Sequence, residues 1–217
     1  PEPLHRAAGS ATMKVQMRAA LHASLALLTA AGLSGCSVKR FMVNRAGDAL
    51  TSGPSAYESD DDPQLVAEAL PFSLKLIESL LAASPRHRGL LLSACKGYTL
   101  YAYAFVAQRA EMSGDEDVAN QREATERARN LFLRAHAYGV RGLETCRPGL
   151  RKAIEQDPGA ALARLRTNDV PLLYWSAASL ALAISSAKGD AEMLARLPEV
   201  EAMLDRALSL DEDWDGG

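Results

Sequence analysis

Residues 122–138 read REATERARNLFLRAHAY, and this stretch decides the fold. Ala128, Leu131, Phe132, Ala135 and Tyr138 fall three and four residues apart, so on a helix they form one apolar stripe. Arg122, Glu123, Glu126, Arg127 and Arg129 take the opposite face, which reads as a solvated surface carrying no chemistry. Opposite charges at helical spacing add only about 0.2–0.5 kcal/mol per pair, so the helix needs partners for its stripe.

Those partners are written on both sides. Leu65, Val66, Ala69, Leu70, Leu76, Ile77, Leu80 and Leu81 repeat the same period, with Asp62-Pro63 as N-cap and first turn and Pro71 expected to break or kink the run. Ser84-Pro85 ends it, and Leu90, Leu91, Ala94, Cys95, Tyr98, Tyr101 and Phe105 define a second helix, giving a helical hairpin. Beyond residue 138, Arg147-Pro148-Gly149 closes one helix and Asp157-Pro158 opens a short one. The apolar run from Val170 to Ala187 is read as a buried central helix, since Pro171 and several serines argue against a membrane span. Lys188-Gly189-Asp190 turns the chain into a last amphipathic helix from about Pro198 to Leu210, with Val200, Met203, Leu204 and Ala207 inward. No alternating run of β-branched residues and no Asn-Gly hairpin turn is present. The expected fold is all-α: stacked helical hairpins, a cryptic tetratricopeptide-like solenoid. Ala128, Phe132 and Ala135 match the spacing of the second helix of that repeat, in a degenerate form. Ser84-Pro85 and Arg206-Ala207-Leu208 with Asp211 look like further repeat ends, but no strict period links the three.

The chain has 217 residues, 48% of them hydrophobic and 24% charged, with a formal net charge of −3, which fits one globular body. Aromatics at 6% favour helix on helix over sheet. An acidic balance without a basic block lacks the field that holds a phosphate backbone, so nucleic acid is excluded as a partner.

The leading segment carries an address. Lys14 and Arg18 precede an apolar run from Ala19 to Leu33, and Leu33-Ser34-Gly35-Cys36 resembles the bacterial lipobox. The thiol of Cys36 is the group that would take the lipid. The organisation read from this is an upstream extension or non-native remnant at 1–12, a lipoprotein signal peptide at 13–35, a lipidated Cys36 with a flexible tether at 36–61, and a helical domain at 62–217. Ser37 after the cysteine is not aspartate, and by resemblance to the sorting rules of enteric bacteria the anchor is expected in the periplasmic leaflet of the outer membrane. Cys95 and Cys146 remain, either bridged in this oxidising compartment or, as their apolar neighbours favour, buried free thiols.

No catalytic constellation is found. His87 and His136 are read as surface or helix-end residues without a second metal ligand at a useful spacing, and no nucleophile elbow, phosphate loop or Cys-x-x-Cys appears. Asp60, Asp61 and Asp62 read as a solvated cap and not as a calcium loop. The expectation is a binding protein, with neither cofactor nor metal. Tyr98, Tyr101, Phe105, Tyr174 and Trp175 are nominated as pocket residues, because alanines interleave with the rings and leave room beside them; core packing is the competing reading.

Longer words carry a resemblance. Ala69-Leu70-Pro71-Phe72 with Leu74-Lys75-Leu76, Gly97-Tyr98, Tyr101-Ala102-Tyr103-Ala104-Phe105-Val106, Asp169-Val170-Pro171-Leu172-Leu173-Tyr174-Trp175 and Arg206-Ala207-Leu208-Ser209-Leu210-Asp211-Glu212-Asp213-Trp214 resemble, in order and spacing, the T-component family of TRAP transporters. The resemblance implies a periplasmic lipoprotein that associates with the transporter's solute-binding protein. It further implies a trimer whose protomers each carry a hydrophobic channel, and a small hydrophobic or organic-acid ligand. Family members continue past the Trp-Asp-Gly stretch, so the domain is expected to be C-terminally truncated here. A second reading, a general helical-repeat envelope lipoprotein acting as a protein scaffold, is separated from the first by co-purification with a TRAP solute-binding protein.

Overall fold

The computed structural model describes residues 41–51, 57, 59–108, 118–187 and 189–216. Cys36, the signal segment and the extension at 1–12 lie outside them. The chain divides into two compact units, 1–45 and 46–217. In the first, residues 41–45 are helical, with the Arg45 guanidinium over the Phe41 ring.

The second unit opens with helix at 46–51, within the stretch read as tether. Gly47 has no side chain, and this lets the segment lie against His87 and Leu90: a Cβ there would stand 2.8 Å from His87 Nε2. Asp48 also pairs with His87 at 3.2 Å.

Helix α1 spans Pro63–Ala83. The Asp62 carboxylate accepts from the Gln64 and Leu65 amides at 3.0 Å, and Pro63 sits where its missing N–H is not needed. The break expected at Pro71 does not occur; the helix runs through it. An interior proline costs about 3 kcal/mol, while burying Val66, Leu70, Leu74 and Leu81 contributes about 1.5–3 kcal/mol each. Packing on both sides therefore outweighs the lost hydrogen bond.

Helix α2 spans Arg88–Tyr101, with His87 as N-cap accepting from the Leu90 amide, and continues as a π-helical turn over Ala102–Ala107. By length and composition the run Arg88–Ala107 could cross a membrane; here it packs on α1 and on the long helix α3, Val118–Glu144. Helices α4 (Leu150–Gln156) and α5 (Pro158–Leu162) follow, the first after Gly149 at φ 81°, the second capped by Asp157. A 3₁₀ turn, Thr167–Asp169, leads into α6, Val170–Ser186. Short α7 (Ala191–Leu194) and then α8 (Leu197–Leu210) complete the stack, which ends in a 3₁₀ turn at Trp214–Gly216. No strand occurs among the described residues, and the fold is all-α.

The α3–α6 pairing is the centre of the body, with α2 against both helices and α8 on the other side of α6. Its closeness has a sequence cause. A Cβ at Gly139 would lie 2.0 Å from Ser176 Oγ and 2.9 Å from Cys95 Sγ, so α2, α3 and α6 meet where glycine removes the side chain. One turn on, Gly142 faces the Leu172 side chain in the same way. The stripe read from the sequence is inside: Ala128, Phe132 and Ala135 are fully or almost fully buried. So is α6, whose Leu172, Leu173, Ala177 and Leu180 join Met203 and Val200 of α8 in one core.

Three expectations need correction. His136 is buried in the core, not at the surface. Of the two thiols both are free, but only Cys95 is buried; Cys146 is exposed in the α3–α4 turn, where its sulfur accepts from Arg88. Arg129, placed on the solvated face, is half-buried and lies 3.9 Å from Asp190.

Candidate functional site

One concavity is built by three turns. The start of α2 contributes Arg88, the α3–α4 turn Cys146 and Arg147, and the segment before α6 Arg164, Leu165, Arg166, Asn168 and Asp169. Its volume of about 610 Å³ is that of a small-molecule cleft. Leu165 within it is anchored in the core, and the Arg206 guanidinium donates to the Leu165 carbonyl.

Its one carboxylate is already engaged. Arg88 Nη2 donates to Asp169 Oδ1 at 2.5 Å and to the Asn168 carbonyl at 2.9 Å, while Nη1 donates to Cys146 Sγ at 3.0 Å. The other oxygen, Oδ2, accepts from the Arg166 amide at 2.8 Å. Arg147, Arg164 and Arg166 remain. Arg147 has a buried Nη1 with no partner among the described residues, and the other two are exposed.

A smaller cleft of about 200 Å³ has His136, Arg151, Arg196 and Glu199 in its wall. His136 Nδ1 must donate to the Ser176 carbonyl at 3.0 Å, since a carbonyl only accepts. In the neutral ring Nε2 then accepts from Arg196 at 3.1 Å; in the charged ring it donates to Glu199, also at 3.1 Å. Burial pushes the Glu199 carboxyl up, but His136 and Arg196 outweigh it and hold the group below the ordinary carboxylate value. Sequence reasoning missed this cluster although a signal existed: His136 lies four residues after Phe132, on the stripe that includes Gly139.

The nominated aromatic residues fall in two places. At the α2 end, Tyr98 is 3% exposed and stacks on Tyr138 with centroids 6.0 Å apart. Glu78 accepts from Tyr138 at 2.8 Å and also pairs with Tyr98; burial first, then the Glu78 charge, pushes both phenols up to about 12. Burial raises Glu78 as well, but Lys75 and the two phenols outweigh this and leave it lowered. Tyr101 and Phe105 are half-buried with ring centroids 6.1 Å apart across the start of the π turn, while Tyr103 between them is exposed. At the start of α6, Tyr174 is exposed and meets Trp175 edge-on at 5.3 Å and Trp214 at 5.0 Å. The Lys96 ammonium lies 5.3 Å over the Trp175 ring. The clefts at Arg88 and His136 are lined by other residues. Among the described residues no group of three His, Cys, Asp or Glu side chains converges as for a metal ion.

The chain is similar to an uncharacterized protein of Treponema pallidum (strain Nichols), 31% identical over 202 residues. That similarity covers 85% of this chain and 62% of the relative, so the chain spans less than two thirds of the relative's length. The sequence pattern of the TRAP transporter T-component matches residues 59–217, the whole helical stack from the α1 cap onward. The chain belongs to the TRAP transporter T-component family.

Proposed function

We propose that this protein is a lipid-anchored periplasmic component of a TRAP transporter that binds the transporter's solute-binding protein and does not catalyse a reaction. The observation that carries the proposal is the match of the family pattern to the entire helical body, 59–217. The physical character of that body agrees with it: helices packed through small residues leave concave surfaces between turns, which suit binding. In this reading the stack is tetratricopeptide-like, Cys36 carries the acyl chains, and the anchor lies in the outer membrane with the body in the periplasm. The protomers form a trimer. In this reading the residues that serve a small hydrophobic or organic-acid ligand are Tyr98, Tyr101 and Phe105 on α2 and its π turn and, at a second place, Tyr174 and Trp175 on α6.

The test is co-purification. Affinity-tagged protein extracted in mild detergent should bring down the solute-binding protein of a TRAP system, and Cys36→Ala should release the protein from membranes without altering its helical content. Wild-type protein that takes no label from a palmitate analogue would overturn the anchor. Recovery of other envelope proteins in place of a solute-binding protein would favour a general scaffold.

A further inference from the structure

We infer that the arginine cleft between α2, the α3–α4 turn and the segment before α6 is a binding site for a small molecule bearing two or more carboxylates. Such a site holds whichever protein partner the chain has.

Charge is the starting point. The whole chain is acidic, at −3, yet this cleft gathers Arg88, Arg147, Arg164 and Arg166 around a single acid, Asp169. Like charges brought together in a concave wall repel one another, and the field lines they share are focused into the cleft. Asp169 cannot neutralise them, because both its oxygens are occupied, by Arg88 and by the Arg166 amide. Three guanidinium groups are therefore left facing a space of about 610 Å³. One of them, Arg147, has in addition a buried Nη1 without a protein acceptor among the described residues.

Chemistry narrows the ligand. A guanidinium presents a planar fork that matches a carboxylate with two parallel hydrogen bonds. The Arg88–Asp169 pair, a single charge-assisted contact from Nη2 to Oδ1, shows a guanidinium meeting a carboxylate inside the cleft itself, and it fixes the wall by tying α2 to the segment before α6. The volume suits a molecule and exceeds what a lone inorganic ion would fill. Three cations spread along the wall, from the α3–α4 turn to the 164–166 segment, call for a ligand with more than one negative group.

The experiment is calorimetric titration of the full-length protein with citrate as a tricarboxylate probe, at constant ionic strength. Acetate, inorganic phosphate and a glutamate-rich peptide are the comparison arms. Saturable binding at one site per chain is expected for citrate, with acetate and phosphate weaker. Arg164→Gln, at an exposed position with no hydrogen bond or ion pair to lose among the described residues, should keep the melting temperature and weaken citrate binding about tenfold or more; Arg166→Gln should do the same. Arg122→Gln on the outer face of α3 should bind citrate as wild type does. Absence of saturable heat with citrate overturns the proposal, as does wild-type affinity in Arg164→Gln. Preference for phosphate contradicts the carboxylate assignment, and preference for the peptide would make the cleft a docking point for an acidic protein segment instead.

Discussion

Replacing Gly139 by alanine probes the contact on which the helical stack is centred. The added Cβ would lie 2.0 Å from Ser176 Oγ, 3.1 Å from Ser176 Cβ and 2.9 Å from Cys95 Sγ. Turning the Ser176 hydroxyl and the Cys95 thiol away relieves two of these at the cost of repacking in the core; the Ser176 Cβ contact requires α6 itself to give. Overpacking of this kind costs about 1–3 kcal/mol. Against it stands the intrinsic preference of a helix interior for alanine over glycine, about 0.8–1.0 kcal/mol. The net effect is therefore a loss of up to about 2 kcal/mol. For a body of this size each kcal/mol moves the midpoint by about 2–4 °C, and thermal unfolding followed by circular dichroism should show a fall of up to about 8 °C. Gly159→Ala is the internal control, because its Cβ would meet only Asp157 Oδ1 at an ordinary 3.6 Å. That substitution should leave the midpoint unchanged or raise it. If Gly139→Ala raised the midpoint as well, the close α3–α6 approach would be refuted.

Other perturbations follow from the same structure. Glu199 is held below its ordinary pKa by His136 and Arg196, so the stability it confers is present at neutral pH, above the unfolded carboxylate value of 4.5, and is lost as pH falls through the lower folded value. Glu199→Gln should therefore lower neutral stability by about 1–2 kcal/mol and flatten the acid limb of the melting-temperature profile; an unchanged acid limb would contradict the pairing. In a Cys36→Ala background, Ellman's reagent should modify Cys146 at once and Cys95 only on unfolding, since burial pushes the Cys95 thiol up to about 12; rapid reaction of both would show that the core is open there. Ala102 is fully buried among Val106, Ala128, Phe132 and Ala183. Ala102→Trp should thus cost about 1–3 kcal/mol or more, and an unchanged melt would place a cavity beside it.

Much of this architecture is legible in the sequence because periodicity and caps are local. The stripe Ala128-Phe132-Ala135, the Asp62-Pro63 and Asp157-Pro158 starts and the buried run from Val170 all correspond to observed elements. Of the break or kink read at Pro71, the break does not occur, because the cost of a missing hydrogen bond is local whereas the burial that offsets it depends on where α2 lies. His136 misleads for a related reason: its partners Ser176, Arg196 and Glu199 are at least forty residues away in the chain. The arginine cleft shows the same limit most clearly. Arg88, Arg147 and Arg164 sit in ordinary contexts along the sequence and become a site only when three turns meet. Aromatic words such as Tyr101 to Phe105 stand out in the sequence, but their spacing does not disclose the π-helical turn that presents Tyr103 to solvent.

Direct association with the transporter's solute-binding protein is the central claim, and sedimentation velocity on the two purified proteins tests it most directly. A mixture should sediment as one faster boundary containing both chains, at a stoichiometry that saturates as either component is added. Two boundaries, each at the rate of its protein alone and at every ratio tried, with the helical stack shown to be folded, would contradict the claim.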